Sequence, residues 1–389
     1  MGDCRCAKPT ILEVRVMPSL QSRRTIDMTC TFAAVAISLC HIIAATVVHK
    51  EVGHMKLKRL FGNQRVRAIF GTPEVIWKRG ESLRDYGINA VFIGHGGLKG
   101  ELLKRCRREG ARVFFEIGIF VGKATAEKHP ELHPIGADGK PLKPDGWYLG
   151  LCPTVEWYRN ERLHIIRETL EKYDVDGVWL DFIRYPCHWE VKRPRIEQAC
   201  FNDSCLTKFQ RDTGIKPQGE TRAQKAQWIL KHHLDDWTKW KCQQIASFCQ
   251  QVRDIIYRVR PNALLSIFSV PWREQDYEDA IHKIIAQDFE LLAKYVDVFS
   301  PMVYHIMCGF PADWVGDYTD YLRRKTKRPV VPIVQAVDKP EPITPQVFER
   351  VLRLPLERGS EGVMMFTIKA VMENEAKIMA MKRVYGAFR

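Results

Sequence analysis

The strongest constraint on the fold of this 389-residue chain is a beat. Eight short apolar, β-rich runs alternate with longer stretches of helical periodicity. The runs are Arg67–Phe70, Ala90–Ile93, Val113–Ile117, Gly177–Leu180, Leu264–Phe268, Val296–Tyr304, Val330–Val334 and Gly362–Phe366. Helical periodicity falls on Val75–Tyr86, Gly100–Glu109, Val155–Tyr173, Trp237–Val259 and Pro345–Arg358. Alternation of this kind is the signature of βα units around a parallel sheet, and eight repeats predict an α/β fold, a single (β/α)8 TIM barrel. The alternative is a doubly wound open sheet, which usually carries a glycine-rich phosphate turn after its first strand. Phe70-Gly71-Thr72-Pro73 is not such a turn. No internal repeat or compositional linker divides the chain after Leu60, so residues 61–389 are expected to form one domain and residues 1–60 a separate leading segment.

Two insertions break the beat. Val121–Pro153 follows the third run and is rich in Pro, Gly, His and aromatics; Pro186–Asp236 follows the fourth. In a barrel, both long loops extend the carboxyl-end face, where this fold builds its sites.

Between them lies Val175–Trp189, VDGVWLDFIRYPCHW. It begins as a buried strand and then presents Asp181 where apolar residues give way to Phe182, Arg184, Tyr185, His188 and Trp189. The residue closing each run gives a polar ring: His95, Glu116, Asp181, Trp272, Tyr304, His305 and Gln335 are among its members. Two carboxyls on neighbouring strands are the minimum apparatus of glycoside hydrolysis, one as acid and one as nucleophile or base. Glu116 and Asp181 supply that pair, with Asp276, from an acidic run behind Trp272, as a substitute second acid. Arg184, Tyr185, His188, Tyr304 and His305 are expected to orient a sugar. The rings of Trp147, Tyr148, Trp189 and Trp272 would stack on sugar faces. Absence of HExxH, GxSxG and a Walker lysine argues against zincin, α/β-hydrolase and P-loop chemistry. No organic cofactor and no catalytic metal is expected.

The net charge of +14 suits an anionic polymer or a negatively charged envelope surface. Basic residues are dispersed, and neither zinc-finger spacing nor an RNP-like strand occurs, so a nucleic-acid partner is not expected. Of twelve cysteines, Cys242 and Cys249 read as buried thiols two helical turns apart. Cys187, Cys200 and Cys205 share one loop region and read as a disulfide or a small zinc knot. Near the amino end, Ser22-Arg23-Arg24 precedes the apolar run Thr29–Val48, which reads as an export signal or a retained membrane anchor. That reading makes the protein extracytoplasmic, with membrane contact through residues 29–48.

Asp176-Gly177-Val178-Trp179-Leu180-Asp181-Phe182-Ile183-Arg184-Tyr185-Pro186 resembles the DG-h-h-h-D-x-h-R-Y-P signature of the glycosyl-hydrolase-like (β/α)8 barrels described as family 10 glycosyl hydrolase-like. The resemblance extends through Val113–Phe120, His129–Pro134, Trp147–Pro153, Cys205–Gly214 and Asp297–His305. It implies a carbohydrate-active barrel with Asp181 in the catalytic region. A fainter likeness to chitinase-type barrels rests on Met302-Val303-Tyr304. Trp179 and Ile183 stand where those enzymes carry acids, so their chemistry does not transfer. Two function classes follow: a glycoside hydrolase acting on a polysaccharide or oligosaccharide, anionic ones included, and a non-catalytic barrel binding envelope glycan.

Overall fold

The computed structural model describes residues 53–388. The apolar run Thr29–Val48 and its basic flank lie outside them. Among the described residues, no helix is long and apolar enough to cross a membrane.

Eight parallel strands close into a barrel in sequence order: β1 Val66–Phe70, β2 Ala90–Gly94, β3 Arg112–Gly118, β4 Gly177–Asp181, β5 Leu264–Ser269, β6 Val298–Val303, β7 Ile333–Gln335 and β8 Gly362–Phe366. β8 returns to pair with β1, Val66 opposite Gly362, so the open-sheet alternative is set aside. Every strand falls on an expected run, because a strand covered by helices outside and side chains inside needs apolar residues on both faces. Departures from expectation have local causes. The helix expected over Val75–Tyr86 splits into a short helix at Glu74–Trp77 and a 3-10 turn at Leu83–Tyr86, with Gly80 between them at φ 76°. The seventh run shortens to three residues, since Pro329 and Pro332 carry no N–H for a ladder.

The lumen is filled by rings. Phe92, Phe114 and Trp179 pack with centroids 4.7–4.8 Å apart, and Trp179 Nε1 donates across the barrel to Ser300 Oγ at 2.8 Å. A fully buried indole is thereby left with no unpaired donor. At the amino-terminal end, helical residues 53–61, ahead of the boundary expected after Leu60, close the barrel. Phe61 stacks 6.3 Å from Phe114, and Lys56 Nζ reaches Ala263 O at 2.9 Å.

A polar clamp recurs at this same end. The residue just before β2, β4 and β6 turns its side chain back to a main-chain N–H of the preceding strand. Asn89 Oδ1 accepts from Arg67 N at 2.7 Å, Asp176 Oδ2 from Val113 N at 2.8 Å, and Asp297 Oδ2 from Leu265 N at 2.9 Å. One polar residue per strand pair is too sparse a signal to register as a sequence repeat.

Both insertions lie on the opposite face. The second carries helices at Asp203–Thr213 and Arg222–His232, and Asn202 Nδ2 ties it to the first through Glu131 O at 2.8 Å. The thiols grouped here are Cys152, Cys200 and Cys205, with sulfurs within 4.8 Å of one another. Cys152 from the first insertion thus takes the place expected for Cys187, whose Sγ instead points to Arg195 O at 3.8 Å. Cys242 and Cys249 are buried free thiols on the helix Leu234–Val259, as expected.

A Cβ built on Gly177, where β4 begins, would sit 2.6 Å from the main-chain oxygen of Leu264 on β5. Backbone cannot yield there as a side chain would. Gly177→Ala is therefore expected to cost about 1–3 kcal/mol of stability, the usual price of overpacking. Urea denaturation measures it, and an unchanged midpoint would contradict the close β4–β5 approach.

Candidate active site

Side chains alternate along a strand, so Trp179 and Asp181 face the same way, two residues apart on β4. Trp179 packs inside the barrel, and Asp181 therefore stands above it at the carboxyl end. Glu116 lies beside them, its residue paired in register with Trp179 across β3–β4. Both carboxyls line a cavity of about 830 Å³ whose walls include Trp147, Phe182, His188 and Tyr304.

The chain leaving β4 is sharply bent. Phe182 adopts φ 50°, and its N–H donates to Asp181 Oδ1 at 2.7 Å, fixing the carboxyl from behind. A left-handed phenylalanine is an uncommon conformation, of a kind that clusters at functional sites. Arg184 follows, 1 % exposed, its guanidinium 4.6 Å over the Phe182 ring and 5.7 Å from that of Tyr148. Its Nη1 comes 4.0 Å from Asp181 Oδ1, and the guanidinium nitrogens have no hydrogen-bond partner among the described residues.

These surroundings set the proton affinities. Burial and the neighbouring Asp181 push Glu116 up to about 8. Burial also raises Asp181, but Arg184 and the Phe182 N–H hold it at about 6. Two carboxyls in one cavity thus differ in which keeps its proton near neutrality, the condition that sorts an acid from a base. Burial raises a third group, Glu190, to about 7, with Arg184 opposing and Asp181 adding to the shift. Glu190 lines the same cavity and escaped the sequence reading. Its only signal was a carboxylate immediately after Trp189 in an otherwise aromatic loop.

The expected sugar-stacking rings divide. Trp147 is 61 % exposed and stands edge-on to Phe182 at 6.0 Å. Tyr148 is buried and forms a floor instead, stacked on Phe182 at 6.1 Å and on His188 at 5.6 Å. His188 Nδ1 is in turn 3.1 Å from Asp145. Tyr304 forms the far wall, backed at 5.9 Å by Trp189, which is wholly buried and does not line the cavity.

Other expected members are placed elsewhere. Asp276 does not line the cavity; its Oδ2 accepts from Arg273 N at 2.7 Å and closes a local turn. Trp272 is buried against Tyr277 at 4.7 Å. Tyr185 is buried below the site, His95 is exposed beyond it, and neither lines the cavity. Gln335 is a brace: its Nε2 donates to Val337 O and Lys339 O, and its Oε1 accepts from Met307 N at 3.1 Å. His305 is 2 % exposed, and burial lowers it to about 4, which keeps the ring neutral.

No family model matches the chain, and no curated protein matches it. Solved structures do match in fold. The glycoside hydrolase domain of PgaB (BpsB) from Bordetella bronchiseptica superposes with a TM-score of 0.60 at 14 % identity, covering 82 % of this chain and 99 % of that one. The cold-adapted β-galactosidase of Rahnella sp. R3 gives 0.62 at 13 % identity, over 85 % of this chain and 57 % of that one. The catalytic mutant of Gan42B, a GH42 β-galactosidase from G. stearothermophilus, gives 0.60 at 16 % identity, over 84 % and 57 %. The fold is that of glycoside hydrolase TIM barrels. The finer family 10 likeness of the β4 stretch finds no matching family model.

The raised Glu116 has a consequence for stability. An acid whose folded pKa lies above its unfolded value binds its proton more tightly when folded, so stability falls as pH rises from about 4.5 through about 8. Glu116→Gln removes that loss. Its melting temperature is expected to match wild type near pH 4 and to exceed it by a few degrees at pH 8. Thermal unfolding across pH tests this, and a constant offset would refute the shift.

Proposed function

We propose that this barrel hydrolyses glycosidic bonds of a polysaccharide or oligosaccharide in the cavity above Trp179. The carrying observation is that two half-buried carboxyls from neighbouring strands line one cavity, where burial raises Glu116 to about 8 and Asp181 to about 6. Near pH 7, Glu116 keeps its proton and can pass it to the leaving glycosidic oxygen. Asp181 is ionised and acts as nucleophile or base at the anomeric carbon. The Arg184 approach at 4.0 Å keeps Asp181 charged without drawing it below the useful range. Glu190 is assigned to holding sugar hydroxyls, and Trp147 and Tyr304 to the apolar sugar faces. Lys339 and Lys192, the latter also meeting Glu341 at 3.4 Å, stand at the wall and suit an anionic glycan. The glycoside hydrolase neighbours support this class of substrate. Export rests on the Thr29–Val48 run, and cell fractionation tests it.

Release of reducing ends from neutral and anionic polysaccharides is the deciding assay. Asp181→Asn and Glu116→Gln are each expected to lower kcat by about 10²–10⁴-fold with the fold intact, while Asp276→Asn stays within about twofold. Wild-type kcat/KM is expected to follow a bell between about pH 6 and 8, and Glu116→Gln to lose the alkaline limb. Full activity in Asp181→Asn would remove that residue from the mechanism. Glycan binding without turnover across the panel would instead favour the non-catalytic barrel. Trp147→Ala is expected to raise KM about tenfold and leave kcat nearly unchanged, as loss of uniform binding does.

A further inference from the structure

Away from the cavity, the two long loops meet at three sulfurs. Cys152 ends the first insertion; Cys200 and Cys205 belong to the second. All three are wholly buried, their sulfurs lie within 4.8 Å of one another, and Cys152 Sγ is 3.5 Å from Cys205 Sγ. Tetrahedral zinc with Zn–S bonds of about 2.3 Å sets its sulfurs about 3.8 Å apart, so the cluster is already near that size.

Two further groups point to an ion rather than to three inert thiols. Lys241 is wholly buried beside the cluster, its Nζ reaching the carbonyl of Ala199, the residue next to Cys200. Its Nζ donates to three neutral oxygens, Gln198 Oε1 at 3.1 Å, Ala199 O at 3.4 Å and Lys283 O at 2.6 Å, and lies over the Tyr185 ring. Among the described residues no carboxylate pairs with it, and a buried ammonium calls for an anion. The Tyr185 hydroxyl, on the ring that Lys241 Nζ overlies at 5.2 Å, is likewise wholly buried without a hydrogen-bond partner among the described residues.

We propose that Cys152, Cys200 and Cys205 hold a structural Zn²⁺ that pins the loops after β3 and β4 to each other. Binding releases three thiol protons. Three thiolates and one Zn²⁺ leave a single negative charge, which Lys241 balances. An oxygen completes the tetrahedron; the Thr154 hydroxyl, 3.1 Å from Cys205 Sγ and 3.3 Å from Cys152 Sγ, already lies alongside. Thr154 and Ser204 also line an open groove of about 840 Å³, which gives the ion a route in. Through Tyr185 the site supports the chain four residues beyond Asp181.

The test uses the full chain purified under reductant with zinc supplied, and is independent of any glycan assay. Elemental analysis is expected to find about one zinc per chain. Cys152→Ser and Cys205→Ser are expected to lower that content about tenfold or more, and Cys249→Ser to keep it. Should the cluster variants fail to fold, Co²⁺ exchange into wild type decides: thiolate-to-cobalt charge transfer with strong tetrahedral d–d bands supports the site. Zinc-free wild type without those cobalt bands overturns the proposal. So does zinc retained in Cys205→Ser, iron in place of zinc, or a Cys152–Cys205 disulfide trapped by rapid alkylation.

Discussion

The site depends on withholding water from carboxyls. Asp181 and Glu116 stand over a floor of Trp179, Phe92 and Phe114, and burial there raises both proton affinities, against the Phe182 N–H that lowers Asp181. Coulomb forces then divide them. Arg184, stacked on the Phe182 ring, acts on Asp181 and Glu190, whereas Glu116 meets only the repulsion of Asp181. The barrel half-buries both carboxyls; the bent segment after β4 makes them unequal.

That division explains what the sequence could and could not convey. Strands were legible because burial on both faces demands contiguous apolar residues, and Asp181 stood out where such a run ended. Glu116 was legible as a charge inside an apolar strand. Glu190, Cys152 and the buried position of Trp189 were not, since loops carry no periodicity and Cys152 meets partners about fifty residues away. Aromatic residues in those loops looked like sugar platforms. Long loops, however, need cores of their own: Trp272 and Trp189 fill them, and only Trp147 keeps a largely free face. Asp276 misled for a similar reason, because a short carboxylate near a turn most often serves the turn.

Of the known structures that match, the PgaB domain is covered almost end to end, while the β-galactosidases extend well beyond the matched portion. A shared barrel at such low identity preserves the layout of strands and leaves the chemistry to the loops. In this chain those loops are long, locked together and rich in buried polar groups. For the proposed hydrolase, the choice of sugar is accordingly assigned to residues 121–153 and 186–236 rather than to the strands.

The clamps at the barrel's other end have a mechanical implication. Asn89, Asp176 and Asp297 fasten β1 to β2, β3 to β4, and β5 to β6 through buried bonds to main chain. At the last pair, Glu361 occupies the equivalent place before β8, but its carboxylate turns to Arg65 at 3.3 Å, ahead of β1. That contact is more than one-third exposed on its arginine side. Three of the four strand pairs thus carry a buried side-chain bond at this end, while at the fourth the carboxylate is taken up by a solvent-facing arginine. Dissolved electrolyte reaches that last contact and not the three buried bonds.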